Sequence, residues 1–255
     1  MPRARARPRG RLRPRLRVKL RTLAIAVAVP AVLVGAYFAA RETSTFAIRS
    51  IDVRGGTPAL DAQVAAALKP VVGKSLLAFD GGAIVRRADA LPAVVSAQYD
   101  RGFPHTLRVT VVPEQQVAVV RRGRESWLVS ARGRAIARIP RATQPGLPRI
   151  WVPTAVSIAA GEFLADGDGS IAAQAVALAA GFPARIATAS LTHGELTFRL
   201  RSGLELRLGE PVDIRLKLAV ARRALRVLPS GTAYLDVAVP QRPVAGTDSQ
   251  LSGKG

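Results

Sequence analysis

The spacing of apolar and polar positions divides the 255-residue chain into a basic tail, an apolar run and a long region of mixed periodicity. Residues 22–40 (TLAIAVAVPAVLVGAYFAA) are nineteen consecutive uncharged residues. At about 1.5 Å rise per residue such a helix reaches across a hydrocarbon core of roughly 30 Å. A soluble surface helix keeps a polar face, and this run has none. It therefore predicts a transmembrane helix over residues 22–40. Pro30 and Gly35 fall inside it, and membrane helices tolerate both because neighbouring groups re-satisfy the backbone.

Beyond the run the period changes. Residues 46–54 alternate, with Phe46, Ile48, Ile51 and Val53 as inward candidates across an irregularity near Ser50, and Gly55-Gly56 ends this first strand. Thr57-Pro58 opens a helix carrying Leu60, Val64, Ala67 and Leu68 at helical spacing, with Asp61 in its first turn and Pro70 as its stop. A second helix carries Ile84, Val85, Ala88 and Leu91, and Pro92 ends it. Strands over 94–100 and 106–112 follow, joined by a connection of hairpin length. The order is β-α-α-β-β.

From residue 117 the pattern is mainly β. Short strands are expected at 117–121, 127–130 and 135–139, then a helix at 171–180 with Asp168 or Ser170 as N-cap. Strands resume at 184–191, 195–201 and 204–208, the last two pairing across Ser202-Gly203. Residues 213–228 read as a helix with Leu216, Val220, Ala224 and Val227 on its apolar face. The last strand, 233–239, alternates and is closed by Pro240, which suits a sheet edge. The predicted fold class is α+β. Its divisions are a basic tail at 1–21, the transmembrane helix at 22–40, a first domain at 46–113, a mainly antiparallel β domain with a C-terminal helix and edge strand at 117–244, and a disordered tail at 246–255.

Charge orients this plan. Of a net charge of +21, ten basic residues and no acid lie in the first 21 positions, among them Arg15, Arg17, Lys19 and Arg21. Arg41 and Glu42 beyond the run nearly cancel, so the positive-inside rule puts the N-terminus in the cytoplasm and the bulk outside it. No aromatic residue is interleaved among the tail's arginines, and the tail abuts the apolar run. Topology and contact with anionic lipid account for it better than nucleic acid, which is not expected as a partner. A cleaved signal peptide is the rival reading, with Val34-Gly35-Ala36 as its best cleavage triplet, but the apolar run is long for one. The chain has no Cys, so neither disulfides nor thiolate metal sites are available.

Several stretches together resemble a known layout: Val53-Arg54-Gly55, Gly73-Lys74-Ser75-Leu76 with Asp80, Leu91-Pro92-Ala93-Val94, and above all Arg101-Gly102-Phe103-Pro104-His105-Thr106-Leu107. Leu147-Pro148-Arg149-Ile150, Leu208-Gly209 and Lys217-Leu218 extend it. The layout is that of a POTRA domain and, more narrowly, of the FtsQ/DivIB family of bacterial division proteins. Phe103 stands where the family more often has Trp, and Gln116 where it usually has Pro. The resemblance implies a short cytoplasmic tail, one span, a POTRA domain and a β domain, in a single-pass protein of the cytoplasmic membrane at the division septum. It makes Gly55, Gly73, Arg101, Phe103, Pro104 and Leu107 the POTRA motif residues. It also implies partners, FtsB- and FtsL-like bitopic proteins and other divisome components, docking on an edge strand near the C-terminus: here Tyr234, Leu235, Val237 and Val239. Either parity of that strand could face the domain. Proline at Val237 would remove a donor from such an edge.

Catalytic chemistry is thinly represented. There are two His, at 105 and 193, each in turn-like sequence, and no HExxH, GxSxG or Walker pattern. Asp166-Gly-Asp-Gly-Ser170 hints at a calcium loop, yet its sixth residue is Ile171 and its twelfth Ala177, where Gly and Glu are needed. No enzyme activity, cofactor, metal or small-molecule substrate is expected. Two other readings remain: a POTRA protein of envelope protein transport, and a secreted enzyme with an atypical signal.

Overall fold

The computed structural model describes residues 20–42 and 44–247. Arg15, Arg17 and Lys19 lie outside them, as does 248–255, and the side chain of Arg21 is likewise outside the description. Helix α1, Leu20–Glu42, has 23 residues and contains Pro30. Ile25, Val27, Val32, Leu33 and Phe38 are all exposed on it. Among the described residues no helix is long and apolar enough to cross a membrane, the side chains described in α1 being those of 25–39.

The first folded unit contains β1 (Ser50–Arg54), α2 (Pro58–Leu68), α3 (Gly81–Asp89), β2 (Val94–Gly102) and β3 (Thr106–Pro113). Thr57 caps α2 by accepting a hydrogen bond from Leu60 N, and Pro58 takes the first turn, where its missing N–H costs nothing. Strand order is β1-β3-β2, with β1 parallel and β2 antiparallel to the central β3. Ile48, Val64, Leu68, Leu76, Ile84 and Leu107 form the buried core between helices and sheet. The first strand begins at 50 and not at 46, because Phe46 O and both backbone groups of Ile48 are bonded to the loop at 73–76.

The second unit is one nine-stranded sheet. Its strands are β4 (Gln116–Arg122), β5 (Glu125–Ser130), β6 (Ala135–Arg138), β7 (Arg149–Val152), β8 (Ile186–Thr192), β9 (Glu195–Leu200), β10 (Glu205–Gly209), β11 (Tyr234–Asp236) and β12 (Val244–Gly246). They are ordered β12-β11-β10-β9-β8-β7-β4-β5-β6. The sheet is more mixed than the sequence predicts: β4–β7, β7–β8 and β10–β11 are parallel pairs. Helices α4 (Ser170–Leu178) and α5 (Ile214–Ala224) share one large core with Val120, Ile150, Phe198, Leu206 and Leu235 of the sheet. Val119, Leu128 and Ile136 form a smaller cluster that meets Ala93 of the first unit.

Two helix expectations are corrected. Neither Asp168 nor Ser170 caps α4. Gly169 holds the N-cap at φ +102°, where a Cβ would lie 3.1 Å from Ile150 Cγ2, so close packing on β7 selects glycine there. Helix α5 buries Lys217, Leu218 and Ala221, while Leu216 and Val227 are exposed. Lys217 confuses an apolarity count because its stem lies in the core while Nζ donates to Glu210 O at 2.7 Å.

Candidate functional site

Strand β11 was expected to be the sheet edge, and it is not. It lies between β10, parallel to it (Glu205↔Tyr234, Leu206↔Leu235), and β12, antiparallel (Tyr234↔Gly246, Leu235↔Ala245, Asp236↔Val244). The sequence ends the β domain at 244 and begins a disordered tail at 246, but residues 244–246 form the outermost strand, β12. The reason is local: Gly246 packs against the Tyr234 ring, and a Cβ there would meet Cε1 at 2.6 Å. A side chain at 246 would require the Tyr234 ring to shift.

The four residues predicted on the edge separate by parity. Leu235 is 1% exposed and Val237 is 0% exposed, both in the large core. Val237 N donates inward to Arg207 O at 2.9 Å. Proline at 237 would therefore break the core ladder and not a docking edge. Val239 is exposed beyond the strand. Tyr234 is half-buried on the helix-free face, where the Arg207 guanidinium sits 4.6 Å from its ring centroid. Arg207 Nε in turn donates to Glu205 Oε1 at 2.8 Å, and Arg199 lies 3.7 Å from the same carboxylate.

The two ends of the sheet differ. At β6 the loop at 161–163 adds backbone bonds, with Ala135 N donating to Glu162 O at 2.8 Å and Gly161 N to Ala135 O at 2.7 Å. At β12 no further strand is paired among the described residues. Val244 is exposed there. The free row of backbone groups is thus at 244–246. That shift of ten residues had no periodic signal, because Val244-Ala245-Gly246 after Pro243 does not alternate and is too short to be read as a strand.

The POTRA motif residues serve two purposes. Gly55 has φ +102° and a Cβ there would stand 2.2 Å from Val111 O, so the end of β1 requires glycine. Leu107 is in the core. The others lie toward the end of the unit where the chain enters. Gly73 N donates to Ile48 O at 2.9 Å, Arg101 covers the Phe79 ring at 5.1 Å, and Phe103, joined to Pro104 by a cis peptide, meets Phe46 edge-on at 5.9 Å.

Between the units, Glu114 is a buried carboxylate, its side chain 1% exposed. It accepts from Arg132 Nη2 at 2.5 Å, which raises the Arg132 pKa above its ordinary value. Arg134 Nη1 lies 3.9 Å from Glu114 and donates to Val94 O of β2 at 2.8 Å, while its Nε donates to Gly161 O at 2.8 Å. A single guanidinium thus ties β2 of the first unit to the large sheet. In the large sheet, burial and then the nearby Arg149 and Arg141 lower the pKa of Arg121, whose donors go to Ser126 Oγ and Arg141 O.

No group of residues able to hold a metal ion occurs among the described residues. A β-α-α-β-β unit joined to a larger mixed sheet with one free edge defines a POTRA-bearing protein. The FtsQ-type POTRA domain model matches residues 46–112, and the C-terminal domain model of cell division protein FtsQ/DivIB matches residues 118–238. The chain belongs to the FtsQ/DivIB family of cell division proteins, a non-enzymatic family. No curated protein matches it.

Proposed function

We propose that this protein is a bitopic scaffold of septum assembly, holding extracytoplasmic division proteins together from a single membrane anchor. The anchor would be α1. Its 23 residues correspond to about 34 Å of helix, and among the described residues its apolar side chains are exposed and belong to neither core. The ten basic residues ahead of it favour a cytoplasmic N-terminus. On this reading the POTRA unit occupies 46–113 and the β domain runs from 117 to the end of β12.

The observation that carries the docking half of the proposal is the free edge of β12. An exposed edge accepts an added strand, with backbone bonds supplying affinity and alternate side chains specificity. We infer that FtsB- and FtsL-like partners add a strand along Val244–Gly246. Tyr234, paired with Gly246, lies beside that edge, and Leu235 and Val237 support it from the core, with Val239 exposed beyond β11. Anchoring two weakly binding partners in one membrane raises their effective concentration, so modest contacts suffice.

The test is proline at Val244 and at Ala245 in turn. Alternate N–H groups of an edge strand face inward and outward, so the pair includes one outward donor. One of the two variants is expected to lose capture of the FtsB-like partner at an unchanged melting temperature. Full capture by both at that temperature would move the docking site elsewhere.

A further inference from the structure

The end of the POTRA unit at which the chain enters has an unusual surface. Phe103 is 55% exposed at the tip between β2 and β3, next to exposed Pro104. Val72, in the loop that pairs with residues 46–48, is also exposed. These apolar groups are rimmed by exposed Arg49, Lys74 and Arg101. No ion pair of these three cations is recorded among the described residues.

The tip is rigidly tied to the entering chain. His105 Nδ1 is 3.2 Å from Ala47 O, and His105 O accepts from Arg49 N at 2.9 Å. Phe46 packs against the POTRA core and holds Phe103 edge-on at 5.9 Å. Ala47 bridges Ser75, which brings the Val72–Lys74 loop to the same end.

The tether sets the distance to α1. Three residues lie between Glu42 and Phe46, so four residue steps span at most about 14 Å of extended chain, and Ser44–Phe46 coil as a 3-10 turn, which is shorter still. The headgroup layer on each side of a bilayer is roughly 5–7 Å thick. If α1 spans, a tether this short lets the Phe103 tip reach that layer. Aromatic rings with a cationic rim are the composition that partitions to the headgroup region.

We propose that the chain-entry end of the POTRA unit is a lipid-contact surface, with Phe103, Pro104 and Val72 seated among phospholipid headgroups and Arg49, Lys74 and Arg101 on the phosphates. The inference rests on the reading of α1 as the membrane anchor. It gives the Arg101–Leu107 motif a role besides folding: it docks the first unit on the bilayer and so fixes the direction in which the β12 edge projects.

Because the chain has no cysteine, single spin labels are clean probes. Phe103→Cys, Val112→Cys and Val29→Cys are made in the full chain, labelled with a nitroxide and reconstituted in vesicles containing phosphatidylglycerol. Collision with oxygen and with a water-soluble nickel complex is then measured. Val112 is exposed six residues along β3 from the tip, about 20 Å away. The expected result is an oxygen-to-nickel ratio at 103 well above that at 112 and approaching that at 29. A lipid-like ratio at 29 with equal ratios at 103 and 112 overturns the lipid-contact surface and leaves the span standing. A water-like ratio at 29 overturns the span, and the inference with it.

Discussion

Replacing Leu235 with alanine separates a core strand from a docking strand. Leu235 is 1% exposed, paired in register with Leu206 on one side and Ala245 on the other. Truncation removes three buried carbons from a site hemmed in by two backbones, where collapse is limited. Such changes cost about 3 kcal/mol or more. For a unit of this size that lowers the melting temperature by roughly 10 °C. Trp127 and Trp151 both lie in the large sheet, so their emission during heating reports its unfolding. Val239→Ala is the control: Val239 is 56% exposed, and surface truncations stay within about 0.5 kcal/mol. The expected outcome is a large shift for Leu235→Ala and none for Val239→Ala. A Leu235→Ala protein that melts like the parent but no longer captures its partner would refute the assignment of this side chain to the core.

Two further outcomes follow from the ion pairs. Glu114→Ala strands exposed Arg132 and half-buried Arg134 without their carboxylate; a lower melting temperature is expected, with faster amide exchange at Val94–Ala97 as the tie from Arg134 to β2 loosens. Glu125 has its pKa lowered, chiefly by the hydrogen bond from Arg122 across the β4–β5 turn. A depressed folded-state pKa contributes stability that is whole above the ordinary carboxylate range and is lost as pH falls through the lowered value. Glu125→Gln is therefore expected to be less stable than the parent at neutral pH and to match it in strong acid, by parallel denaturation curves across that range.

Much of the first unit was readable from one dimension. Thr57-Pro58, Pro70 and Pro92 punctuate its helices, and the alternation of 106–112 marks β3, because caps, prolines and strand parity act within a few residues. The family motifs lie in the same stretches, and they tied the chain to FtsQ/DivIB before any contact was known. The second unit yielded seven of its nine strands and the β9–β10 hairpin, but not β7, β12 or the long-range neighbours. The parallel pairing of β4 with β7 and of β10 with β11 joins segments separated by more than 20 residues, and no local period records such a partner.

The sheet edge was misplaced for the same kind of reason. Alternation across 233–239 says only that one parity is buried; it does not say whether another strand lies outside. The pairing of 244–246 with β11 decides that, and those three residues have no periodicity to announce it. On α5, Lys217 reads as polar although its stem is core, which rotated the expected face toward Leu216. What the sequence by itself determined is the apolar run with its basic flank, the order of elements apart from β7 and β12, and the family, since each depends on residues close together in the chain. What only the tertiary structure decided is which edge stays open, which face is buried, and which cations meet Glu114. Those depend on contacts between distant segments, where packing and backbone pairing overrule local pattern.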